Sequence, residues 1–487
     1  MSTDHFFRRI LATMQKIHDS NTVAFIGLDT QYYNAQQQLQ TRIHLDGAAS
    51  PLAAKAGLDM VEALLPHYSN THSYVHNSAK ITTKALAWAH ETVINYVGAN
   101  SNEYAAVFAG AGTTAAINRV ARGLAMLRPD RKVILVSSME HHANDLPHRQ
   151  FGNKVVYLPL CESEASNSNQ LGAVDLLKLE ELCQQHQHDI NYIAVSWVSN
   201  VTGIRNPLKE IVKIAHQYGI FILLDAAQSV AHGATDLDDL NVDFLVFSGH
   251  KVYCPMAPGV LVAKRSILDR LVGQDLGGGS VSTVSHYDFE FVADSSEKEE
   301  SGTPNIVGAI ALAAVLNELM AFGLNNIEQK DRALMLYLKS QLSSMDEITV
   351  YGDPNLERTG ALAFNHKRID HGLLAAILND YYGIAVRNEC FCAHPYVSSL
   401  LKEELWQLDL ADIEENQQEA FINRKRGMVR ASLSLYNTKK DVDALISAIS
   451  EINLTLESHS NNYIANNDGS YQHKSYTVDW KKTLGIS

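Results

Sequence analysis

Cysteine is scarce: five residues in 487, too few and too scattered for a disulfide framework, so they are read as thiols of a reducing compartment. Long apolar runs are missing as well. The longest, residues 307–316, is far too short to span a bilayer, and the opening MSTDHFFRRILATMQ lacks an apolar signal core followed by small residues. Positive charge is in deficit: the formal net charge is −14, with no Lys/Arg-rich run and no zinc-finger spacing to offset it. These absences lead us to expect a soluble, cytoplasmic protein with no membrane and no nucleic acid among its partners. No internal repeat is visible.

What is present is enough apolar sequence, 46% of residues, for one large or two medium globular domains. Across residues 104–264 short β-branched or apolar runs end in small or polar residues, and a helical segment often follows. The runs are 105–108, 132–136, 154–158, 192–197, 220–224, 244–247 and 259–262. This alternation predicts an α/β fold with a mostly parallel seven-stranded sheet covered by helices. One connecting helix starts at Pro207, carries Leu208, Ile211, Val212 and Ala215 on one face and stops at Gly219.

After a Gly-rich and acidic loop (277–302), an Ala/Leu-rich helix near 307–320 leads into a smaller α+β unit. Strands are expected at 348–351, 361–364, 384–386 and 428–433, and helices at 371–382 and 438–452, the last with Thr438 and Asp441 close to a capping box. The division is an N-terminal arm (1–42), a large domain (43–320), a small C-terminal domain (321–455) and a polar, aperiodic tail (456–487). The Asn/Ser-rich patches 162–170 and 458–470 read as loops.

Ligands of open α/β sheets sit beyond the carboxyl ends of the strands, so the residues closing each run carry the chemistry. Run 105–108 is followed by Ala109-Gly110-Ala111-Gly112-Thr113-Thr114, a glycine-relieved turn entering a helix; alone it is a capped turn or an anion site. Its glycine spacing is not that of a dinucleotide fingerprint. FILLD ends in Asp225, a carboxylate that is costly at the end of an apolar strand unless paired, and a protonated heterocyclic nitrogen is a suitable partner. The next strand closes with Ser248-Gly249-His250-Lys251. Singly, Asp225 reads as a helix cap and Lys251 as a solvated lysine. Together the turn, the carboxylate and the amine match the needs of pyridoxal phosphate: an anion cradle, a partner for the ring nitrogen and a Schiff-base amine.

At these residues the sequence resembles the class V aminotransferases among the fold type I pyridoxal-phosphate enzymes, and most closely the cysteine desulfurase and selenocysteine lyase branch. The resemblance covers residues 43–455 and rests on an ordered series: His44-Leu45-Asp46-Gly47-Ala48-Ala49-Ser50, Gly112-Thr113-Thr114, Glu140-His141-His142-Ala143-Asn144, Val198-Ser199-Asn200-Val201-Thr202-Gly203, Asp225-Ala226-Ala227-Gln228, Ser248-Gly249-His250-Lys251, Gly302-Thr303-Pro304-Asn305 and Arg430-Ala431-Ser432-Leu433. It implies a pyridoxal 5'-phosphate-dependent transferase. Lys251 would hold the cofactor and move the Cα proton, and Asp225 would keep the pyridine nitrogen protonated. His141 would stack on the ring and serve as an acid or base, and Gln228 would approach the ring hydroxyl. Thr113, Thr114, Ser248 and His250 would bind the phosphate, with Thr303 reaching in from a second subunit of a homodimer. Asn200 would lie near the ring and the substrate carboxylate, Arg430 would pair with that carboxylate through two parallel hydrogen bonds, and Arg387 would also contact substrate.

Without the resemblance, His141 and His142 read as polar loop residues, since adjacent side chains point apart and make poor joint metal ligands. His72 and His76 have i,i+4 spacing but no acid or third ligand, so no metal is expected. The resemblance instead puts this segment at the active-site mouth, with His72 near substrate.

Desulfuration needs a second nucleophile. The segment Arg387-Asn388-Glu389-Cys390-Phe391-Cys392-Ala393-His394-Pro395 aligns with the family's sulfur-accepting loop, its cysteine falling on Cys392 and Arg387 beside it. The implied reaction is attack by the Cys392 thiolate on substrate sulfur, leaving an enzyme persulfide and releasing alanine. Two departures stand out. Glu389-Cys390-Phe391 replaces the family's glycine-histidine pattern, and the insertion 397–425 is acidic and Gln-rich, suited to covering the site or docking a protein sulfur acceptor. The expected activity is cysteine desulfurase. The alternatives are an aminotransferase, epimerase or carbon–sulfur lyase that does not use Cys392, and a non-catalytic cofactor-binding protein.

Overall fold

The computed structural model describes residues 22–152, 154–162, 168–271, 275–406, 408, 415–466, 468 and 470–486. The seven runs read from the sequence form one sheet. Its strands are β1 (Tyr104–Ala109), β2 (Val133–Ser137), β3 (Lys154–Leu158), β4 (Ile190–Ser196), β5 (Phe221–Asp225), β6 (Phe244–Ser248) and β7 (Gly259–Lys264), in the order β1-β7-β6-β5-β4-β2-β3. Only β7 runs against its neighbours. The carboxyl ends of β1, β4, β5 and β6 therefore open on the same side.

Alternation along the strands explains why the sheet needs helices on both faces. On β1, Tyr104, Ala106 and Phe108 face one core while Ala105, Val107 and Ala109 face the other. Helix α1 (Gly112–Leu127) covers the second face with Ala116, Ile117, Val120 and Leu124. Helix α2 (Leu208–Gln217) buries Leu208, Ile211, Val212 and Ala215 as the pattern requires, with Pro207 at its N-cap and Gly219 in a left-handed turn (φ +63°) beyond its end.

Helix α3 (Ile306–Phe322) is buried almost all round in the large core, and at Gly323 (φ +99°) the chain turns 77° into α4 (Leu324–Ser343). The latter gives Met335, Leu338 and Leu342 to a second, smaller core. Among the described residues no single helix is long and apolar enough to cross a membrane. The second core lies under an antiparallel sheet of β8 (Ile348–Val350), β9 (Ala361–His366), β10 (Arg387–Glu389) and β11 (Met428–Ser432), ordered β8-β9-β11-β10. Helices α5 (His371–Tyr382) and α6 (Lys439–Ser460) pack on it, and Asp441 accepts the Thr438 N–H at 2.8 Å to close the start of α6.

Three sequence readings change. The run at 384–386 does not enter the small sheet: Ile384–Ala385 pairs in parallel with Ile43–His44, and the next residues, Arg387–Glu389, supply the edge strand. An edge strand tolerates such polar sequence because one side faces solvent. The stretch 456–487, expected to be a polar, aperiodic tail, holds the end of α6, a hairpin of Tyr463–Ala465 with Tyr471–His473, and a helix at Trp480–Leu484. Tertiary contacts outweigh its Asn/Ser-rich composition: Tyr463 donates to Asp380 at 3.0 Å, and Tyr381 and His473 meet at 3.0 Å. Of the arm, residues 1–21 lie outside the described residues. Phe25 packs on Tyr253 and Tyr436, and Gln31–Tyr33 pairs with Leu39–Thr41.

Candidate active site

Beyond the carboxyl ends of β1, β4, β5 and β6 lies a cavity of about 440 Å³, closed from the other side by residues of the small domain. Register places its parts. Asp225 at the end of β5 is level with Ser196 of β4 and Val246 of β6, so Ser248 and the turn Gly249–Lys251 follow immediately beside it.

Thr113, Thr114, His141, Asn200, Asp225, Gln228, Ser248, His250, Lys251, Arg387, Cys392 and Arg430 all line this cavity. Two site residues expected from the sequence do not. Thr303 is exposed and accepts from Asn70 Nδ2 at 3.5 Å, and His72, in a loop, lies 3.7 Å from Glu297. Thr303 ends the 277–303 loop, and His72, from the segment before residue 77, meets that loop at Glu297.

The cradle at the start of α1 is built by a close approach. Gly112 has φ +60°, and a Cβ there would fall 2.7 Å from Ser248 Oγ. That hydroxyl accepts the Thr113 N–H and meets Thr113 Oγ1, both at 2.7 Å. Ala111 at the N-cap offers no side-chain oxygen, so the helix start presents N–H groups and hydroxyls, the donor set of an anion site.

Asp225 accepts the Ala227 N–H at 2.9 Å, and burial still raises its carboxyl above the usual range against the pull of that bond and of Lys251. Burial lowers Lys251 to about 8, with Asp225 opposing the shift. Burial, then the Lys251 and His142 charges, lower His141 to about 3, so this imidazole is neutral. Its Nδ1 accepts the Ala143 N–H at 3.0 Å, which leaves Nε2 as the protonated nitrogen. Behind it, buried Glu140 takes four hydrogen bonds: Ser137 Oγ and the Ser196 N–H on Oε1, Ser196 Oγ and Asn144 Nδ2 on Oε2.

Arg430 comes from β11 of the small sheet and is buried, with burial lowering it to about 10. Nη1 donates to the Asn200 carbonyl at 2.9 Å and Nη2 to Asp46 at 3.2 Å, while Nε has no hydrogen-bond partner. A buried guanidinium edge with an unused donor suits a carboxylate. Cys392 is an exposed thiol; Cys390 is buried, and its burial pushes the thiol up to about 11. Asp46, Glu140 and Phe391 carry no role in the sequence motifs; the structure sets Asp46 and Phe391 against Arg430, and Glu140 against Ser196, which lines the cavity. No described residue of the insertion 397–425 lines the cavity: its helices pack toward Ser168–Gln170 and α5, and residues 407 and 409–414 lie outside the described residues.

The residues present fit pyridoxal phosphate: an anion cradle at Thr113, Thr114, Ser248 and His250, a buried carboxylate for a protonated ring nitrogen, and an amine with a lowered pKa. Comparison with known proteins agrees with this geometry. Residues 43–445 match the Aminotransferase class-V family. The chain is 34% identical over 423 residues, 85% of its length and 94% of the relative's, to a cysteine desulfurase of Shigella sonnei. A cysteine desulfurase of Escherichia coli K12 matches with the same identity and coverage. Among solved structures, the apo cysteine desulfurase from Thermococcus onnurineus NA1 aligns with a TM-score of 0.72 at 28% identity, covering 84% of this chain and 94% of that one. An Escherichia coli cysteine desulfurase in an S-sulfonic acid form gives 0.69 at 30%, covering 85% and 95%.

Proposed function

The chain belongs to the Aminotransferase class-V family, and from that premise we propose that it is a pyridoxal-phosphate-dependent cysteine desulfurase that converts L-cysteine to L-alanine and holds the sulfur as a persulfide on Cys392. The observation that carries this reading is the exposed Cys392 thiol in one cavity with Lys251, Asp225 and Arg430.

Thr113, Thr114, Ser248 and His250 would hold the phosphate, Asp225 the ring nitrogen and Lys251 the aldehyde carbon. When bound, the cofactor supplies a sink for the electrons released at the substrate Cα. Arg430, tied by Asp46 and the Asn200 carbonyl, receives the substrate carboxylate through its remaining N–H groups. With a pKa of about 8, Lys251 is neutral in part near pH 7 and takes the proton from Cα. Neutral His141 donates through Nε2 without adding a charge. The Cys392 thiolate forms a bond to the substrate sulfur as the Cβ–S bond breaks. The carbon fragment keeps the bonding pair, takes up protons and leaves as alanine.

The reading extends to a cytoplasmic homodimer in which Thr303 serves the cradle of a second copy, and to a protein sulfur acceptor. The test is direct. Holoenzyme is treated with L-cysteine and digested, and the peptide carrying Cys392 is weighed. A gain of one sulfur atom on Cys392, absent in Lys251→Ala, supports the proposal; turnover of cysteine with no such species overturns it.

A further inference from the structure

The loop that carries Cys392 is held in a conformation its sequence resists. Glu389 (φ +92°), Phe391 (φ +51°) and Cys392 (φ +54°) all lie in the left-handed region, none of them glycine. A bulky residue there is a backbone outlier that persists only where the surroundings over-determine it. At Phe391 the surroundings do. Its carbonyl accepts Asn200 Nδ2 at 2.8 Å, and its ring lies over the Arg430 guanidinium, 4.8 Å from Cζ to the ring centroid. Phe391 is buried, while its neighbour Cys392 is exposed to the cavity.

Asn200 and Arg430 are the two groups facing the substrate carboxylate in the reading above, and they are joined to each other through Arg430 Nη1 and the Asn200 carbonyl at 2.9 Å. One residue of the loop thus touches both, the Asn200 amide through its carbonyl and the Arg430 guanidinium through its ring. The next residue is the sulfur acceptor. Its own carbonyl accepts only from the large domain, the His142 N–H at 2.7 Å, and His142 and His394 stack at 4.9 Å to hold the far side of the loop.

We propose that Phe391 is a positioning residue: its carbonyl and its ring latch the Cys392 loop to the Asn200–Arg430 pair, so that the place of the substrate carboxylate and the place of the acceptor thiol are fixed by one residue, the ring supplying the Arg430 contact. The inference rests on the desulfurase reading for the identity of the carboxylate. The latch itself is a property of the loop, and it can be read without any turnover. The phenyl ring packs against the guanidinium, whose Nε has no hydrogen-bond partner and remains for a carboxylate.

The experiment measures the rate at which iodoacetamide alkylates Cys392 in the holoenzyme, followed by peptide mass spectrometry, which separates it from exposed Cys161 and from buried Cys390. Phe391→Ala is expected to raise that rate by roughly tenfold, the scale of losing a desolvated ring–guanidinium contact. Phe391→Tyr keeps the ring and is expected to keep the rate. The same Phe391→Ala protein is expected to show a KM for L-cysteine raised more than its kcat is lowered, because the guanidinium loses its ring contact. An unchanged alkylation rate in folded Phe391→Ala overturns the proposal. If that variant does not fold, Phe391→Leu carries the test, since it keeps the bulk and lacks the π face, and an unaltered rate there overturns the proposal equally. A desulfurase reading that fails leaves the alkylation result standing, so the two failures are distinguishable.

Discussion

Asp46 holds Arg430 in place: a carboxylate oxygen lies 3.2 Å from Nη2, although 384 positions separate the two residues in the chain. Asp46 also lies 3.7 Å from Arg387, so it stands between a buried and an exposed guanidinium at the mouth of the cavity. Arg430 is buried and Asp46 half-buried, so removing Asp46 leaves a buried charge with less compensation, a loss of roughly 1–3 kcal/mol, below that of a fully buried pair. Asp46→Ala is therefore expected to lower the melting temperature and to raise KM for L-cysteine by tenfold or so, with a smaller effect on kcat. Thermal melts and steady-state kinetics check both. A variant with unaltered KM would show that Arg430 does not depend on Asp46.

Lys251 gives a prediction in pH. Its ammonium is lowered from 10.5 to about 8 by burial, so the free amine becomes the main form above pH 8 rather than above 10.5. Addition of an amine to an aldehyde requires the free base. The rate at which apoprotein captures pyridoxal phosphate, followed by absorbance, is expected to rise with pH with its midpoint near 8 and to level off above that. Asp225 opposes the shift, so Asp225→Asn removes a charge that favours the ammonium and is expected to move the midpoint lower. A midpoint near 10 in the unaltered protein would contradict the account.

Glu140 is a stability prediction. Each of its oxygens accepts two donors, and among them the Ser196 N–H on Oε1 is fixed by the backbone. Asn144 Nδ2 donates to Oε2 while Asn144 Oδ1 meets His148 Nε2 at 3.1 Å, so turning this amide over would also require His148 to move its proton to Nδ1, against Tyr192. In Glu140→Gln the amide nitrogen must face one of these donors in either orientation. The expected loss is roughly 1–3 kcal/mol, measured by chemical denaturation, with the fold retained at low denaturant. An unchanged midpoint would mean that the network rearranges freely.

The sheet was legible because burial on both faces demands continuous apolar, β-branched runs in its inner strands; all seven runs became strands of one sheet, with half-exposed Lys154–Leu158 at its edge. The cavity was legible for the same reason: polar residues that close such runs, Asp225 and Ser248 among them, have few structural excuses. The small domain was less so. Arg387–Glu389 hides as a strand because it is short, polar and at an edge, and its role depends on pairing with Met428–Ser432, which local sequence does not encode. The order beyond residue 456 rests on partners such as Asp380 and Tyr381, more than seventy residues earlier. Gly203 shows the same limit within a quoted motif. Its φ is +73°, and a Cβ there would lie 2.1 Å from the Ala361 carbonyl, a contact between the large and small domains that only the folded chain reveals. Phe391 reads in sequence as a departure from a pattern, and its contacts with Asn200 and Arg430 exist only once three distant segments meet.

The central claim is that Lys251 and Cys392 act in one reaction. The most direct measurement is release of alanine and sulfide from L-cysteine under reducing conditions by the unaltered holoenzyme, by Lys251→Ala and by Cys392→Ala. Equal amounts of alanine and sulfide are expected from the unaltered protein, with both products lost in each variant. Full activity in Cys392→Ala would contradict that claim and would assign the chain to carbon–sulfur cleavage that does not pass through a persulfide.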